Sequence, residues 1–351
     1  MANPVNPRVY YPIHAVGFAP LGTPIVNLSG YRAAKGVQSV SYNTSFNLIP
    51  TYELGQVSIY ENREDLPNLE VTVSKVIDGY SLLEHLATPS ATSATLAGRY
   101  NSNRCMMAVT YYDITNSFAT GTPLACALFS GLYVSSLAWN LPVDGNITET
   151  VGLVGNNKQF FIPSGDFFAT GTRFTGSETP VTASGGINRR QNVIMGSTSG
   201  SYWPSSIPGT SGIGNSIYVN PVKGDGSYGA HIQDVSINVN LGRTDLFELG
   251  RKGPYYRFAN FPVEVTTSIN VTAGEFGDGV DALEDRDNLV NEAIKINLTQ
   301  GVIIDLGSQN KLQSITTSGG DTSGGNVTVT YTYLNNNDYT VRFTAKDPAG
   351  Q

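Results

Sequence analysis

Stretches in which apolar and polar residues alternate run along most of this chain, and they predict β-strands. Alternation with a period of two is typical of a strand that buries one face. The clearest such stretches are residues 40–46, 69–76, 235–241 and 263–271. Residues 106–112 and 301–306 are richer in apolar side chains, which favours central strands. We therefore expect a fold built mainly from sheets.

Two further patterns refine this expectation. Residues 327–333 and 339–343 flank the turn-forming sequence Asn335-Asn336-Asn337-Asp338, which predicts a β-hairpin. Helical patterns are few. Residues 78–86 predict a short helix with Asp78 or Ser81 as its N-cap, and residues 281–294 predict a second one at the matching place in the other half of the chain.

The chain contains part of its own sequence twice. Residues 38–55 align without a gap on residues 233–250, a shift of 195, and seven of these eighteen positions are identical. Gly145-Asn146-Ile147-Thr148 matches Gly325-Asn326-Val327-Thr328 at a shift of 180. Repetition at a fixed spacing is the signature of a duplicated structural unit. We therefore predict pseudo-symmetry and a protein that builds rings or arrays.

The repeat suggests a division into domains. We predict an extended N-terminal arm over residues 1–37, a first β domain over 38–160, a Gly/Ser-rich insertion or interdomain arm over 161–232, and a second β domain over 233–351. Each domain is expected to be a β-sandwich or small barrel with one short helix. The fold class is thus mainly β, with two tandem domains and extended arms and loops.

Composition excludes several classes of protein. The 351 residues are 40% hydrophobic, enough for two buried cores, and only 14% charged. The net charge of −7 disfavours a protein that grips DNA through its phosphates. Cys105 and Cys126 are too few for a disulfide scaffold, so we expect two buried thiols. The N-terminus lacks the pattern of a signal peptide, and no apolar stretch is long enough to span a membrane.

No catalytic or cofactor motif emerges. His14, His85 and His231 lie far apart in sequence, and neither of the two Ser-containing glycine loops has the spacing of a nucleophile site. We therefore predict no enzyme activity, no cofactor and no metal site. The acidic stretch 278–287 leaves a divalent cation open as a minor alternative.

Residues 130–158 carry a family resemblance. They read SGLYVSSLAWNLPVDGNITETVGLVGNNK, which resembles the closing strands of bacteriophage tail tube proteins. In that pattern Pro142, Val143, Asp144 and Gly145 form a turn, and Thr148 begins the next strand. The first domain resembles a tube domain along most of its length. The second keeps the strand pattern but lacks the Pro-Val-Asp-Gly turn.

The resemblance implies an assembly. Inner strands of each tube-type β-sandwich would join a ring-wide barrel, here around 40–46, 69–76, 235–241 and 263–271, and rings would stack into a hollow tail tube for genome delivery. A tandem duplication favours three chains per ring over six. The implied partners are the chain itself, the tape-measure protein and DNA in the lumen, and other tail proteins such as a sheath; no membrane is implied. The protein would be assembled in the host bacterial cytoplasm and reside in the virion tail.

Contacts with the next ring or subunit are predicted at two equivalent loops. Their residues are Glu53, Leu54, Gly55, Glu248, Leu249 and Gly250. The two arms would lock neighbouring subunits. A different class of function stays open: a receptor- or carbohydrate-binding β-sandwich at the virion surface or tail tip, with Tyr202 and Trp203 as aromatic platforms.

Overall fold

A computed structural model describes twelve segments of the chain. They are residues 14–26, 28–88, 93–95, 105–112, 123–161, 173–175, 186–195, 200–207, 231–272, 289–299, 301–319 and 326–343. This part of the protein is mainly β, with one short α-helix. The predicted fold class is confirmed at that level, whereas the domain boundaries stay a prediction.

Most strands are short, and one is long. In chain order they are β1 (His14–Pro20), β2 (Arg32–Ala33), β3 (Val37–Ser45), β4 (Leu48–Tyr52), β5 (Ile59–Glu64), β6 (Asn68–Val76), β7 (Ser93–Thr95), β8 (Cys105–Tyr111), β9 (Ala125–Pro142), β10 (Thr148–Gly155), β11 (Asn157–Phe161), β12 (Val193–Ile194), β13 (His231–Asn240), β14 (Arg243–Leu246), β15 (Tyr256–Ala259), β16 (Glu264–Thr272), β17 (Lys295–Leu298), β18 (Val302–Asp305), β19 (Lys311–Ser318), β20 (Thr328–Asn336) and β21 (Thr340–Phe343). The helix α1 spans Leu83–Ala87 and follows β6.

Eight strands form the backbone of one large sheet. Their order is β19-β20-β16-β13-β9-β10-β6-β3, and every neighbouring pair is antiparallel. The first four come from the second half of the chain and the last four from the first half. The strands β1, β2, β8 and β11 join the same sheet beside this path. The two halves therefore share one continuous sheet, connected by the pair β13–β9.

The two groups of four strands pair in the same way. We call β9-β10-β6-β3 the first unit and β19-β20-β16-β13 the second unit. Ser39 of β3 lies opposite Ser74, and Asp234, 195 positions after Ser39, lies opposite Asn270. A register shift lies just before these two residues in both units, at Gln38 and at Gln233. The hairpins β9–β10 and β19–β20 also share a register shift. The repeat in the sequence is thus matched strand by strand in the pairing.

One face of the sheet forms the core. Alternate residues such as Leu69, Val71, Val151, Ile237 and Ile269 are buried and belong to one hydrophobic cluster that runs through both units. This is what the period-two pattern predicts for a half-buried sheet.

The opposite face is polar, and we call it the open face. Its residues lie directly across from one another along the eight strands, and none of those named here is buried: Ser39, Ser41, Asn43, Glu70, Thr72, Ser74, Ser136, Asn140, Asp234, Ser236, Asn238, Asn240, Glu264, Thr266, Ser268, Asn270, Thr316, Thr330 and Thr332. Hydroxyl and amide groups dominate the residues named, and their charged members are three acids. Lys311, which lies opposite Leu334 in the same row as Thr266, adds a base to this face.

The prediction of a β-hairpin over residues 327–343 is wrong. β20 pairs with β16 and β19, whereas β21 pairs with β18 and β7 in a five-stranded sheet ordered β12-β17-β18-β21-β7. Asn337 has a positive φ of 64° and exchanges hydrogen bonds with Val263, which fixes the turn against the start of β16. Tyr339 and Val341 are then buried, and the Tyr339 ring lies 5.4 Å from that of Trp139. Burial of these apolar residues outweighs local hairpin pairing.

The helix α1 begins later than predicted and has a distant cap. Neither Asp78 nor Ser81 caps it; the N-cap residue is Leu82, which has no capping side chain. The carboxylate of Glu149 in β10 instead accepts hydrogen bonds from the backbone N–H groups of Leu83 (2.7 Å) and Glu84 (3.0 Å). A carboxylate at the first turn satisfies amides that have no partner within the helix. The second predicted helix lies mostly outside the described residues, and the described part, 289–294, is not helical.

Glu149 gives the fold a pH dependence that we predict to be measurable. Burial raises its pKa to about 7, while the two backbone N–H groups and the Lys75 ammonium oppose that shift. Since the folded-state pKa lies above the unfolded value of about 4.5, the contribution of Glu149 to stability is greatest below about pH 4.5 and is lost as the pH rises through about 7. The loss amounts to about 3 kcal/mol.

Replacing Glu149 by Gln is expected to remove this slope. At low pH the protonated carboxyl group and the amide each offer one good acceptor oxygen, so the variant is expected to stay within about 1 kcal/mol of the wild type there. Urea unfolding between about pH 4.5 and 7.5 measures both effects. Glu70→Gln on the open face is the control and keeps the wild-type slope. An unchanged slope in Glu149→Gln would contradict this assignment.

The segments outside the two units pack against them. In the predicted N-terminal arm, β1 pairs along its whole length with β8, and Phe18 is buried. Cys105 and Cys126 are both buried free thiols, as predicted, and burial raises their pKa values to about 12. In the predicted insertion, Phe174 and Ile207 are buried. The described parts of both segments therefore belong to the packed body of the molecule.

Candidate assembly interface

The pair β13–β9 joins the two units, and we call it the internal junction. Seven residue pairs match, from Asp234 opposite Pro142 to Asn240 opposite Ser136. On the core side Ile237 lies opposite Trp139, and both are buried. Beyond the end of β13, the Leu241 amide donates to the carbonyl of Ser135. The junction is therefore a regular antiparallel pairing with an apolar side.

Each unit also carries a two-stranded hairpin after its edge strand. The hairpin β4–β5 follows β3, and the hairpin β14–β15 follows β13. Leu48 pairs with Glu64 in the first, and Arg243 pairs with Ala259 in the second. Arg243 and Ala259 each lie 195 positions after Leu48 and Glu64, which is the shift seen in the sequence repeat. The two hairpins are thus structural equivalents.

The second hairpin is docked on the first unit across the internal junction. Arg243 Nε donates to the Val134 carbonyl at 2.7 Å, and Arg257 Nη2 donates to Asn156 Oδ1 at 2.7 Å. The Tyr256 and Tyr133 rings meet edge to face with centroids 6.3 Å apart. The Arg243 guanidinium also lies 5.4 Å from the centroid of the Tyr133 ring.

Electrostatics supports this docking. Burial lowers the pKa of Arg243 to about 10, so the side chain is still cationic at neutral pH. Burial also lowers the pKa of Arg257, and the Asp245 carboxylate, 2.9 Å from Arg257 Nε, opposes that change. A buried cation is tolerated where it has a partner and hydrogen bonds. The two arginines hold the second hairpin in place.

The first hairpin has the same form but is exposed. Every residue of β4 and β5 is exposed, including Leu48 at 54% and Ile49 at 53%. Phe46, which corresponds to Leu241, is 68% exposed, whereas Leu241 is 6% exposed. The difference arises because the second hairpin has a neighbouring unit beside it, whereas the first has none among the residues that the structure describes.

The outer strands β3 and β19 are the free edges of the eight-strand path. A cleft of about 460 Å³ runs beside β3 and is lined by Val37, Gln38, Val40, His14 and Lys35 among others. In the second unit the positions equivalent to Val37, Gln38 and Val40 are Ile232, Gln233 and Val235. These three lie beside Leu141, Pro142 and Val143 of the first unit. The matching place at the internal junction is a smaller cavity of about 70 Å³.

The predicted contact loops lie at the tips of the two hairpins. Leu54 and Leu249 are both fully exposed in these turns. Gly55 and Gly250 have φ values of 89° and 82°, a conformation that favours glycine. Glu53 and Glu248 precede the leucines. The structure thus places the six predicted residues at the exposed tips of two equivalent hairpins. The two tips lie at separate places on the single chain.

The four residues of the family-like turn lie between β9 and β10. Pro142 ends β9, Val143 and Asp144 follow in a bend, and Gly145 has a φ of 110°. The Asp144 carboxylate lies 3.6 Å from Arg190, and both side chains are well exposed. Thr148 begins β10.

The other candidate sites give less chemistry. Among the described residues no group of three or more His, Cys, Asp or Glu side chains is placed to hold a metal ion, and the acidic stretch 278–287 lies outside them. Tyr202 is 48% exposed, but Trp203 Nε1 donates to the Met195 carbonyl, and the cavity beside Trp203 is about 70 Å³. Ligand pockets are typically about 300–1,000 Å³. In the described part of the chain no helix is long and apolar enough to cross a membrane.

Comparison with solved structures finds several neighbours, all described ones at low similarity. Neither a protein-family model nor a curated protein sequence matches the chain. The anti-feeding prophage cap, which terminates the tube of that particle, aligns with 46% of this chain and 97% of its own at 12% identity and a TM-score of 0.33. A chain of the anti-feeding prophage baseplate aligns with 44% of this chain and 96% of its own at 10% identity and a TM-score of 0.31. Similarity of this size does not assign a function.

The pairing of β13 with β9 was not predicted from the sequence. The ring-wide barrel predicted around β3, β6, β13 and β16 stays a prediction; within the chain these strands share one sheet with β9, β10, β19 and β20. The two arginines of the second hairpin were not predicted, and Phe46 was included only as the last residue of the predicted strand 40–46. The shift of 195 relates residue 46 to residue 241, and this equivalence can be read from the sequence. The difference in burial between the two side chains can be seen only in the structure.

Proposed function

We propose that this protein is a structural virion protein that forms rings and stacks them into the hollow tail tube of a bacteriophage, a conduit for genome delivery. The observation that carries the proposal is the internal junction, where the edge strand of one unit accepts the edge strand of the other. The eight-strand path of each chain ends in β3 on one side and β19 on the other. Neither strand has a partner on its outer side among the described residues.

Repeating the internal junction between chains satisfies both edges. β3 corresponds to β13, and β19 corresponds to β9, so β3 of one chain pairs with β19 of the next. Exposed strand edges invite uncontrolled association, and closing them into a ring removes that hazard. A head-to-tail contact of this kind closes when its rotation fits a ring. Three chains then supply six units.

The open face suits the wall of a conduit. Hydroxyl and amide side chains dominate it, and its charged residues include three acids, Glu70, Asp234 and Glu264, and one base, Lys311. Carboxylates repel the phosphates of DNA, so a lumen of this kind passes DNA without trapping it. The tape-measure protein would occupy the same lumen, and other tail proteins would meet the ends of the tube.

Cysteine crosslinking tests the proposed pairing of chains. At the internal junction Ser236 lies opposite Asn140. Ser41 corresponds to Ser236, and Ser318 corresponds to Asn140, since Thr148 lies opposite Asn140 and Thr328 opposite Ser318. The native thiols are buried and do not compete. The variant Ser41→Cys/Ser318→Cys, treated with a short thiol crosslinker, is expected to give a ladder that ends at three chains.

The two single-cysteine variants are the controls and give no ladder. A ladder that ends at six chains would keep the function and overturn the stoichiometry. Crosslinks confined to single chains, or none from a protein that forms rings, would contradict the pairing of β3 with β19.

A further inference from the structure

Matching positions at the internal junction and at the free edges differ in charge. Tyr256 of β15 lies opposite Leu246, and its equivalent in the first hairpin is Glu61, opposite Thr51. Tyr133 of β9 lies opposite Val154, and its equivalent in β19 is Lys311, opposite Leu334. Where the internal junction holds two tyrosines, the free edges therefore present an acid and a base.

We propose that Glu61 of one chain pairs with Lys311 of a second copy of this chain in the ring. This inference rests on the proposed function. Contacts between chains then carry a salt bridge at the place where contacts within a chain carry the Tyr256–Tyr133 pair. Glu61 and Lys311 are both exposed in the single chain and free to meet such a partner.

A third pair of equivalent positions also differs in charge between the internal junction and the free edge. Arg243 lies over the Tyr133 ring and donates to the Val134 carbonyl beside it. Its equivalent in the first hairpin is Leu48. An arginine there would approach Lys311 and repel it. The position that holds Tyr133 at the internal junction thus holds a cation, Lys311, at the free edge. The two positions that contact it there hold an acid, Glu61, and a neutral residue, Leu48.

This arrangement distinguishes the two kinds of junction. The second hairpin, with Arg243 and Arg257, would place cations near Lys311 if it docked on the second unit of another chain. Like charges brought together at an interface disfavour the wrong pairing. The first hairpin, with Glu61, is matched to Lys311 and not to Tyr133. Whole chains therefore join end to end in one register, and ring closure weakens at high salt.

Charge reversal tests the pair. We would measure the concentration of half-maximal ring assembly by sedimentation for the wild type, Glu61→Lys, Lys311→Glu and the double variant. Each single change is expected to raise that concentration by about tenfold or more, and the double variant returns it to within about threefold of the wild type. Arg342→Glu changes the net charge as Lys311→Glu does, at an exposed residue of β21, and serves as the matched control.

The outcomes separate this inference from the proposed function. If the wild type forms rings but the single variants assemble at the wild-type concentration, or the double variant is no better than the singles, the charge pair is overturned and the ring proposal stands. If Arg342→Glu weakens assembly as much as Lys311→Glu does, the effect is one of net charge and the pair is overturned. If the wild type forms no rings at any concentration, the proposed function fails and the pair fails with it.

Discussion

Replacing Leu54 and Leu249 together by Asp is expected to abolish tube formation while leaving the chain folded. Both leucines are fully exposed at equivalent hairpin tips. Burying a leucine side chain contributes about 1.5–3 kcal/mol, and the effect multiplies because every ring presents both tips on each of its chains. An aspartate adds the cost of burying an unpaired charge. Electron microscopy of the concentrated protein, with urea unfolding as the check on folding, measures the result.

The control for this variant is Leu124→Asp, which changes a leucine that is 58% exposed outside the hairpins. It is expected to form tubes as the wild type does. All variants should unfold within about 0.5 kcal/mol of the wild type, since exposed substitutions cost little. Normal tubes from Leu54→Asp/Leu249→Asp would remove the two tips from the interface.

Replacing Phe46 by Asp is expected to prevent ring closure without unfolding the chain. Phe46 is 68% exposed in the single chain, and its equivalent Leu241 is 6% exposed against the neighbouring unit. If the contact between chains copies the internal junction, Phe46 becomes buried on assembly. Burial of an unpaired carboxylate there strongly opposes pairing. Sedimentation should find a folded monomer at concentrations at which the wild type is assembled.

Two comparisons sharpen the Phe46 result. Phe160→Asp alters a phenylalanine that is 56% exposed in β11, and it should leave assembly intact. Leu241→Asp alters the equivalent buried position, and it should destabilise the chain itself by several kcal/mol. Assembly of Phe46→Asp at the wild-type concentration would mean that the free edge does not repeat the internal junction.

The sequence predicted those features that depend on local pattern. Alternation located β6 and its equivalent β16, and the repeat located both hairpin tips. Gln38 and Gln233 are identical in the two copies, and each donates through Nε2 to the backbone carbonyl two residues earlier, beside matching register shifts. Identity between the copies here reflects the same local structure.

Features that depend on distant partners were not predictable in this way. The cap of α1 comes from Glu149, more than sixty residues along the chain. The sequence 327–343 has the pattern of a hairpin, yet Tyr339 is buried beside Trp139 and directs β21 to another sheet. The difference between Phe46 and Leu241 arises only because one faces a neighbouring unit. In each case a long-range contact overrides a local preference.

We propose that successive chains pair as the two units pair within one chain. Electron microscopy of the purified protein after concentration, with ring symmetry taken from end-on views, tests it most directly. We expect hollow tubes whose rings have threefold symmetry and six similar lobes. Discrete particles that never close into rings or stack would contradict it.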